Sequence, residues 1–171
     1  GNLYKYFVSA VSEKLPKAFI AENVKGLLTA NKGLAIKQII KDFQKVDDCG
    51  YRIYINLYNF ADYGVPQLRE RVIIVGIRSE LSFNFEKPIP THNESNYMTS
   101  GEALKNVEKV LYNNEYINIK ERTKKIISLI PEGGNFEDIP KDSPYYVKGM
   151  ISHVYRRLNR NKPSTTIIAG G

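Results

Sequence analysis

Leu3, Phe7, Val11 and Leu15 recur at the spacing of one helical face, and Pro16 ends the pattern. Ala18-Phe19-Ile20-Ala21 follows as an unbroken apolar run, which predicts a short buried strand ending at Glu22. Ile36, Ile39, Ile40, Phe43 and Val46 line a second helical face, with Gly50 placed to cap it. Tyr51, Ile53, Ile55 and Leu57 then alternate with Arg52, Tyr54 and Asn56, the period of a strand with one face inward. Turn-forming residues fill Asn59 to Gln67, and Val72-Ile73-Ile74-Val75-Gly76-Ile77 is a second buried run. Helix, strand, helix, strand, strand is an α/β pattern, and the loop joining the last two strands predicts an antiparallel pair.

The texture changes after Arg78. Residues 81 to 98 hold Pro88, Pro90 and several Asn and Ser, with no period. Thr99-Ser100-Gly101-Glu102 has the spacing of a capping box and predicts a helix running through Leu111. Ile119, Ile126, Ile127 and Ile130 predict another helix, stopped at Pro131, and Pro131-Glu132-Gly133-Gly134-Asn135 a loop. There is no internal repeat. The expected division lies near residue 80, with residues 1–80 as one lobe, 81–155 as a second, and 156–171 as a segment returning toward the first.

Composition narrows the class. No apolar run approaches the ~20 residues of a membrane span, and the first ten residues lack a secretory core. The lone Cys49 excludes a disulfide within the chain and fits a reducing compartment, so the chain reads as cytoplasmic. A net charge of +7 and a pI near 9.4 suit a polyanionic partner. The one local concentration of charge is Arg156, Arg157, Arg160 and Lys162, with no acid among them. It reads either as a solvated face or as a set of phosphate contacts.

Candidate chemistry sits at the strand ends. Glu22 follows an apolar strand, and open α/β sheets bind ligands at the carboxyl ends of strands. A carboxyl group withdrawn from water there has a raised pKa and can donate a proton to a ring nitrogen. The plainer reading is that Glu22 caps the next loop or pairs with Lys25. Arg69 and Arg71 alternate at the start of a strand and so share a face, where their forks can clamp an oxyanion or a phosphate. Glu70 lies on the opposite face, and a surface ion pair is the plainer reading of the triplet. Asn23 and Gln67 are placed to order neighbouring loops through their amides. Cys49 has no basic neighbour in sequence to activate it and reads as a structural thiol. His92 and His153 have no ligand-type residue at metal spacing. Asn135, Lys141 and Lys148 are further possible contacts to a nucleic acid.

Glu22-Asn23-Val24, after its apolar strand, resembles the Glu-Asn-Val motif of the cytosine-C5 DNA methyltransferases. Gly64 to Arg71, with the strand that follows, resembles that family's Gln-x-Arg-x-Arg motif. Arg157-Leu158 through Pro163-Ser164-Thr165-Thr166-Ile167 resembles the segment that closes its target-recognition region. The three stand in family order over essentially the whole chain. The resemblance implies a partial Rossmann-like sheet, double-stranded DNA as partner, and S-adenosylmethionine as cofactor of the complete enzyme. It assigns Glu22 to N3 and the amino group of a flipped cytosine, Arg71 to the base O2, and Arg69 and Asn23 to the loops around them. It makes 81–155 the region that reads bases in the major groove.

Two parts of the family pattern have no counterpart here. No Pro-Cys nucleophile occurs, and neither does the Gly-rich cofactor turn with its acidic ribose contact. The expectation is therefore a central-to-C-terminal piece of a bacterial restriction–modification enzyme, inactive and cofactor-free without its missing N-terminal catalytic segment. Such a piece would expose the strand at 18–21 as an edge and self-associate through it. Two alternatives stand beside it: a non-catalytic DNA-binding or specificity subunit of a split enzyme, and a tRNA cytosine-5 methyltransferase relative.

Overall fold

The first helical period becomes α1 (Leu3–Lys14) in the computed structural model, which describes residues 3–112, 118–149 and 155–167. The chain divides into two compact units, Gly1–Phe60 with Arg69–Pro90, and Ala61–Leu68 with Thr91–Gly171.

In the first unit β1 (Ala18–Val24), α2 (Leu34–Gln44), β2 (Tyr51–Asn59) and β4 (Glu70–Arg78) form a three-stranded sheet with a helical layer on one face. The intervening β3 (Gln67–Leu68) belongs to the second unit. The strand order is β1-β4-β2, and β4 is antiparallel to both neighbours. The expected antiparallel pairing of the last two strands is therefore present. β1 and β2 run the same way, joined by α2, with β4 inserted between them. Central position explains why β4 reads as a continuous apolar run: Val72, Ile74, Val75 and Ile77 are all buried. The alternation in β2 also holds, since Tyr51, Ile53, Ile55 and Leu57 all pack on the core formed with Val11, Phe43 and Val72. Phe19 is the hinge of this packing. Its ring lies 4.4 Å from that of Phe43 and 5.1 Å from that of Tyr51, centroid to centroid. It sits over Gly76, its cross-strand partner, where an added Cβ would come within 2.2 Å of the ring.

Two expectations for this unit are corrected. β1 runs two residues past Glu22, and only Phe19 in it is buried, with Ile20 69% exposed. Phe19 and Ala21 pack on the core beneath the helical layer, so the alternation turns the even-numbered side chains away from it, and β1 pairs on one side alone among the described residues. The helix before Gly50 ends at Gln44, and Gly50 instead closes a turn by donating to the Val46 carbonyl at 2.9 Å.

The irregular stretch after β4 is tied down along β2. The Arg52 guanidinium donates to the carbonyls of Ser79, Leu81 and Phe83 at 2.8, 2.7 and 2.6 Å. The Tyr54 hydroxyl donates to Asn84, and Lys87 donates to the Leu57 carbonyl beside the Tyr58 ring. These ties hold the stretch to β2, and residues 81–90 fall within the first unit.

The second unit contains β3, α3 (Ser100–Ala103), α4 (Glu121–Leu129) and β5 (Ser164–Thr165), with β3 and β5 paired in parallel. Its core gathers Ile126, Ile130, Phe136 and Ile139. The capping box at Thr99 and Glu102 forms as expected, but the helix stops at Ala103 instead of Leu111. Asn106 turns into the left-handed region at φ 65°, and Leu104, Val107, Val110 and Leu111 are exposed. A short helix without a buried face gains no tertiary support. α4 likewise starts at Glu121 and leaves Ile119 outside.

Candidate functional site

Glu22 sits third from the end of β1, opposite Ile73 of β4. The period of two along β4 puts Arg69 and Arg71 on the same sheet face as Glu22, as the alternation predicts. Glu22 Oε1 accepts from Arg71 Nε at 3.0 Å and from Arg69 Nη2 at 3.3 Å. Oε2 has no hydrogen-bond partner among the described residues. Arg71 also donates from Nη1 to the Glu70 carbonyl at 2.8 Å, which anchors its fork and leaves Nη2 free. The Glu70 carboxylate points to the other side and takes Lys25 Nζ on both oxygens at 2.9 Å. The plainer pairing of Glu22 with Lys25 is thus replaced by a crossed arrangement, in which each acid meets cations from the other strand segment. Half of the Glu22 side chain is exposed, against only 17% of Arg71. The site is an open one, with its cations more enclosed than its acid, and the withdrawal of Glu22 from water expected from the strand-end position is partial.

The other candidates are dispersed. The Asn23 side chain accepts from the Val24 N–H at 2.8 Å, a local bond. Gln67 lies in the second unit, where β3 pairs it with Ser164. Cys49 precedes β2, while Glu22 lies near the end of β1. Because these strands run the same way, the thiol and the carboxylate occupy opposite edges of the sheet. The carboxylate of Asp62, in the loop after β2, accepts from the Tyr97 hydroxyl, while its backbone carbonyl accepts from the N–H groups of Thr91 and His92. His92 Nδ1 lies 2.9 Å from the Thr91 hydroxyl. Among the described residues no three His, Cys, Asp or Glu side chains are gathered to hold a metal ion, and His153 lies outside the described residues. The Asn135 side chain caps residues Phe136–Asp138. Lys141 and Lys148 are exposed.

Of the basic cluster, Arg157 Nη1 donates to the Ile130 carbonyl at 2.8 Å, and Arg160 forms an ion pair with Glu132. The acid that the local sequence lacks arrives from 28 residues upstream. Sequence reasoning missed Glu132, and it also missed Arg52 as the clamp on residues 79–83. Each lies in an ordinary-looking stretch, and only the fold brings its partner near.

The Gly-rich cofactor turn of the resembled family has no counterpart in the sequence. Toward the carboxyl ends of β1 and β2 stand two acids, Glu22, held by two guanidiniums, and Asp62, whose carboxylate takes the Tyr97 hydroxyl. No helix of the described residues is long and apolar enough to cross a membrane.

Comparison with known proteins agrees with the motif order. The family model described as C-5 cytosine-specific DNA methylase matches residues 1–170. The type II methyltransferase M.NgoFVII of Neisseria gonorrhoeae is 58% identical over all of this chain and 46% of its own length. M.BbvI of Brevibacillus brevis is 41% identical with the same coverage, and M.BsuRI of Bacillus subtilis is 36% identical over 99% of this chain and 33% of its own. The chain spans about half the length of the first of these relatives or less. These 171 residues belong to the C-5 cytosine-specific DNA methylase family.

Proposed function

We propose that this chain supplies the base-holding part of a DNA (cytosine-5-)-methyltransferase of a restriction–modification system, acting on duplex DNA in the cytoplasm. The carrying observation is the Glu22 carboxylate held on one oxygen by Arg69 and Arg71, with its second oxygen unpaired among the described residues. Cytosine turned out of the stack presents N3 and its amino group on one edge and O2 beside them. Glu22 Oε2 is the atom that meets N3. Arg71 Nη2, the free end of an anchored fork, meets O2.

When a thiolate adds at C6, electron density moves onto N3 and O2. A proton or hydrogen bond from Glu22 at N3, with Arg71 at O2, disperses it and leaves C5 nucleophilic. The two guanidiniums fix the carboxyl rotamer, so little reorganisation is needed at that moment. In this reading thiol and cofactor come from outside these residues: Cys49 lies at the opposite strand ends from Glu22, and the sequence holds no Gly-rich cofactor turn. S-adenosylmethionine supplies the methyl group in the complete enzyme, and this chain alone is inactive. The second unit, with residues 91–155 at its centre, reads the DNA sequence.

The test is methyl transfer into cytosine by the complete enzyme carrying Glu22→Gln or Arg71→Lys. The expected loss is ~10²–10⁴-fold for Glu22→Gln, the usual worth of a positioned acid. Near wild-type transfer in either variant would overturn the assignment. Transfer lost only in step with lost DNA binding would instead favour a specificity role, and preference for tRNA in a competition assay would replace the substrate.

A further inference from the structure

The second unit encloses a groove of about 600 Å³, lined in part by Glu94, Tyr97, Arg156, Arg157, Asn161 and Lys162. The segment bearing three of these cations is stapled from two directions. The Ser100 N–H donates to the Lys162 carbonyl and the Gly101 N–H to the Arg160 carbonyl, each at 2.9 Å, while the Ser100 hydroxyl donates to the Asn159 carbonyl at 2.8 Å. On the other side Gly133 donates to the Arg157 carbonyl at 3.2 Å, and Arg157 donates from its N–H to the Gly134 carbonyl at 3.0 Å. A Cβ at Gly101 would stand 2.6 Å from the Arg160 carbonyl oxygen, so this approach requires glycine. The backbone that presents the cations is therefore held, while their side chains differ in what they have left to offer.

Arg157 is spent on structure. Its Nη1 takes the carbonyl of Ile130, the residue that caps the C-terminal end of α4, where unpaired carbonyls favour a cation. Arg160 is spent on Glu132, with Nε and Nη2 at 2.7 and 2.6 Å from one carboxylate oxygen. Its guanidinium holds the Glu132 carboxyl below the usual range, so the acid stays ionised and the pair is close to neutral. Arg156 and Lys162 have no side-chain hydrogen bond or ion pair among the described residues, and both line the groove. Their only acidic companion in that lining is Glu94.

A DNA phosphate gains most from an uncompensated cation. Neutralising it releases a condensed counterion, and a cation that already has a carboxylate must give up one partner to take another. We propose that Arg156 and Lys162 are the duplex-DNA phosphate contacts of this segment, while Arg157 and Arg160 build the groove that presents them. The proposal rests on the reading of the chain as part of a DNA-modifying enzyme. It divides a basic run that looks uniform in sequence into two contacts and two supports.

The experiment is the salt dependence of duplex-DNA binding by the full-length protein. Arg156→Gln and Lys162→Gln are each expected to lower the slope of log affinity against log salt by about 0.9, the value for one phosphate contact, with unchanged thermal midpoints. Arg160→Gln is expected to leave the slope within experimental error. Glu132→Gln, which frees the Arg160 charge, is expected to leave it unchanged or raise it. Unaltered slopes in the Arg156 and Lys162 variants, or an Arg160→Gln slope lowered as much as theirs, would overturn the division while leaving the DNA reading intact. A wild-type protein without salt-dependent duplex binding would overturn both.

Discussion

At the scale of single residues, two positions carry more than their surroundings suggest. Gly76 lies in the middle of the central strand, where a side chain would ordinarily pack, yet the Phe19 ring occupies that space. Gly76→Ala is expected to destabilise by about 1–3 kcal/mol, the usual cost of forcing extra volume into a packed core. A shift in urea midpoint measures it, and a neutral result would show that the ring relaxes freely. Glu22 and Arg71 carry the proposed chemistry. Sequence makes both legible: a carboxylate after an apolar strand, and two arginines two residues apart. It does not say that one oxygen of Glu22 takes both cations while Lys25 goes to Glu70. Those partners lie 45–49 residues apart, and strand order alone decides which of them meet.

At the scale of elements, Arg52 joins β2 to the irregular stretch that follows β4. Three carbonyls converge on one guanidinium, and the bonds are charge-assisted. Arg52→Met keeps the stem and removes the fork. It is expected to cost about 1–3 kcal/mol and to speed backbone hydrogen exchange and proteolysis across residues 79–85. Unchanged exchange there would mean that Tyr54 and Lys87 suffice to hold the stretch. The capping box at Thr99 was legible because its chemistry is local, two side-chain bonds within four residues. The helix it opens was overestimated because length depends on a buried face, and residues 104–111 have none.

At the scale of the whole molecule, acid sensitivity follows from four carboxylates. Arg78 holds Asp47 and Glu80 below their ordinary values of 3.8 and 4.5, the Thr99 N–H does so for Glu102, and Arg160 for Glu132. Groups with lowered values contribute fully above their unfolded pKa and lose that contribution as the pH falls through the folded one. The thermal midpoint is therefore expected to hold steady above about pH 4.5 and to decline below it. Burial raises Tyr51 above its ordinary 10.0, so its contribution is full below that pH and is lost on further alkalinisation. A midpoint flat through the acid range would show that these pairs form equally in the unfolded chain.

The open edge of β1 has a consequence at the same scale. Ile20 and Val24 are exposed on it, with Leu3 and Tyr6 exposed on α1. The isolated 171 residues are expected to self-associate, and Ile20→Lys to weaken that association, as charge on an edge strand does. Light scattering checks this, and a monomer at high concentration would count against it.

By itself the sequence determined the local periods, the α/β class, the antiparallel final pair, and the motif order that marks the family. These depend on backbone geometry over a few residues, or on residue types at short spacing. Only the tertiary structure decided that β4 lies between β1 and β2 and that residues 81–90 stay with the first unit. It also decided which cations are spent: Glu132 reaches Arg160 from a loop 28 residues away, while Arg156 and Lys162 have no such partner among the described residues. The physical reason is the same in each case. A charge or an apolar face is written in the chain, but its partner is chosen by how distant segments come together.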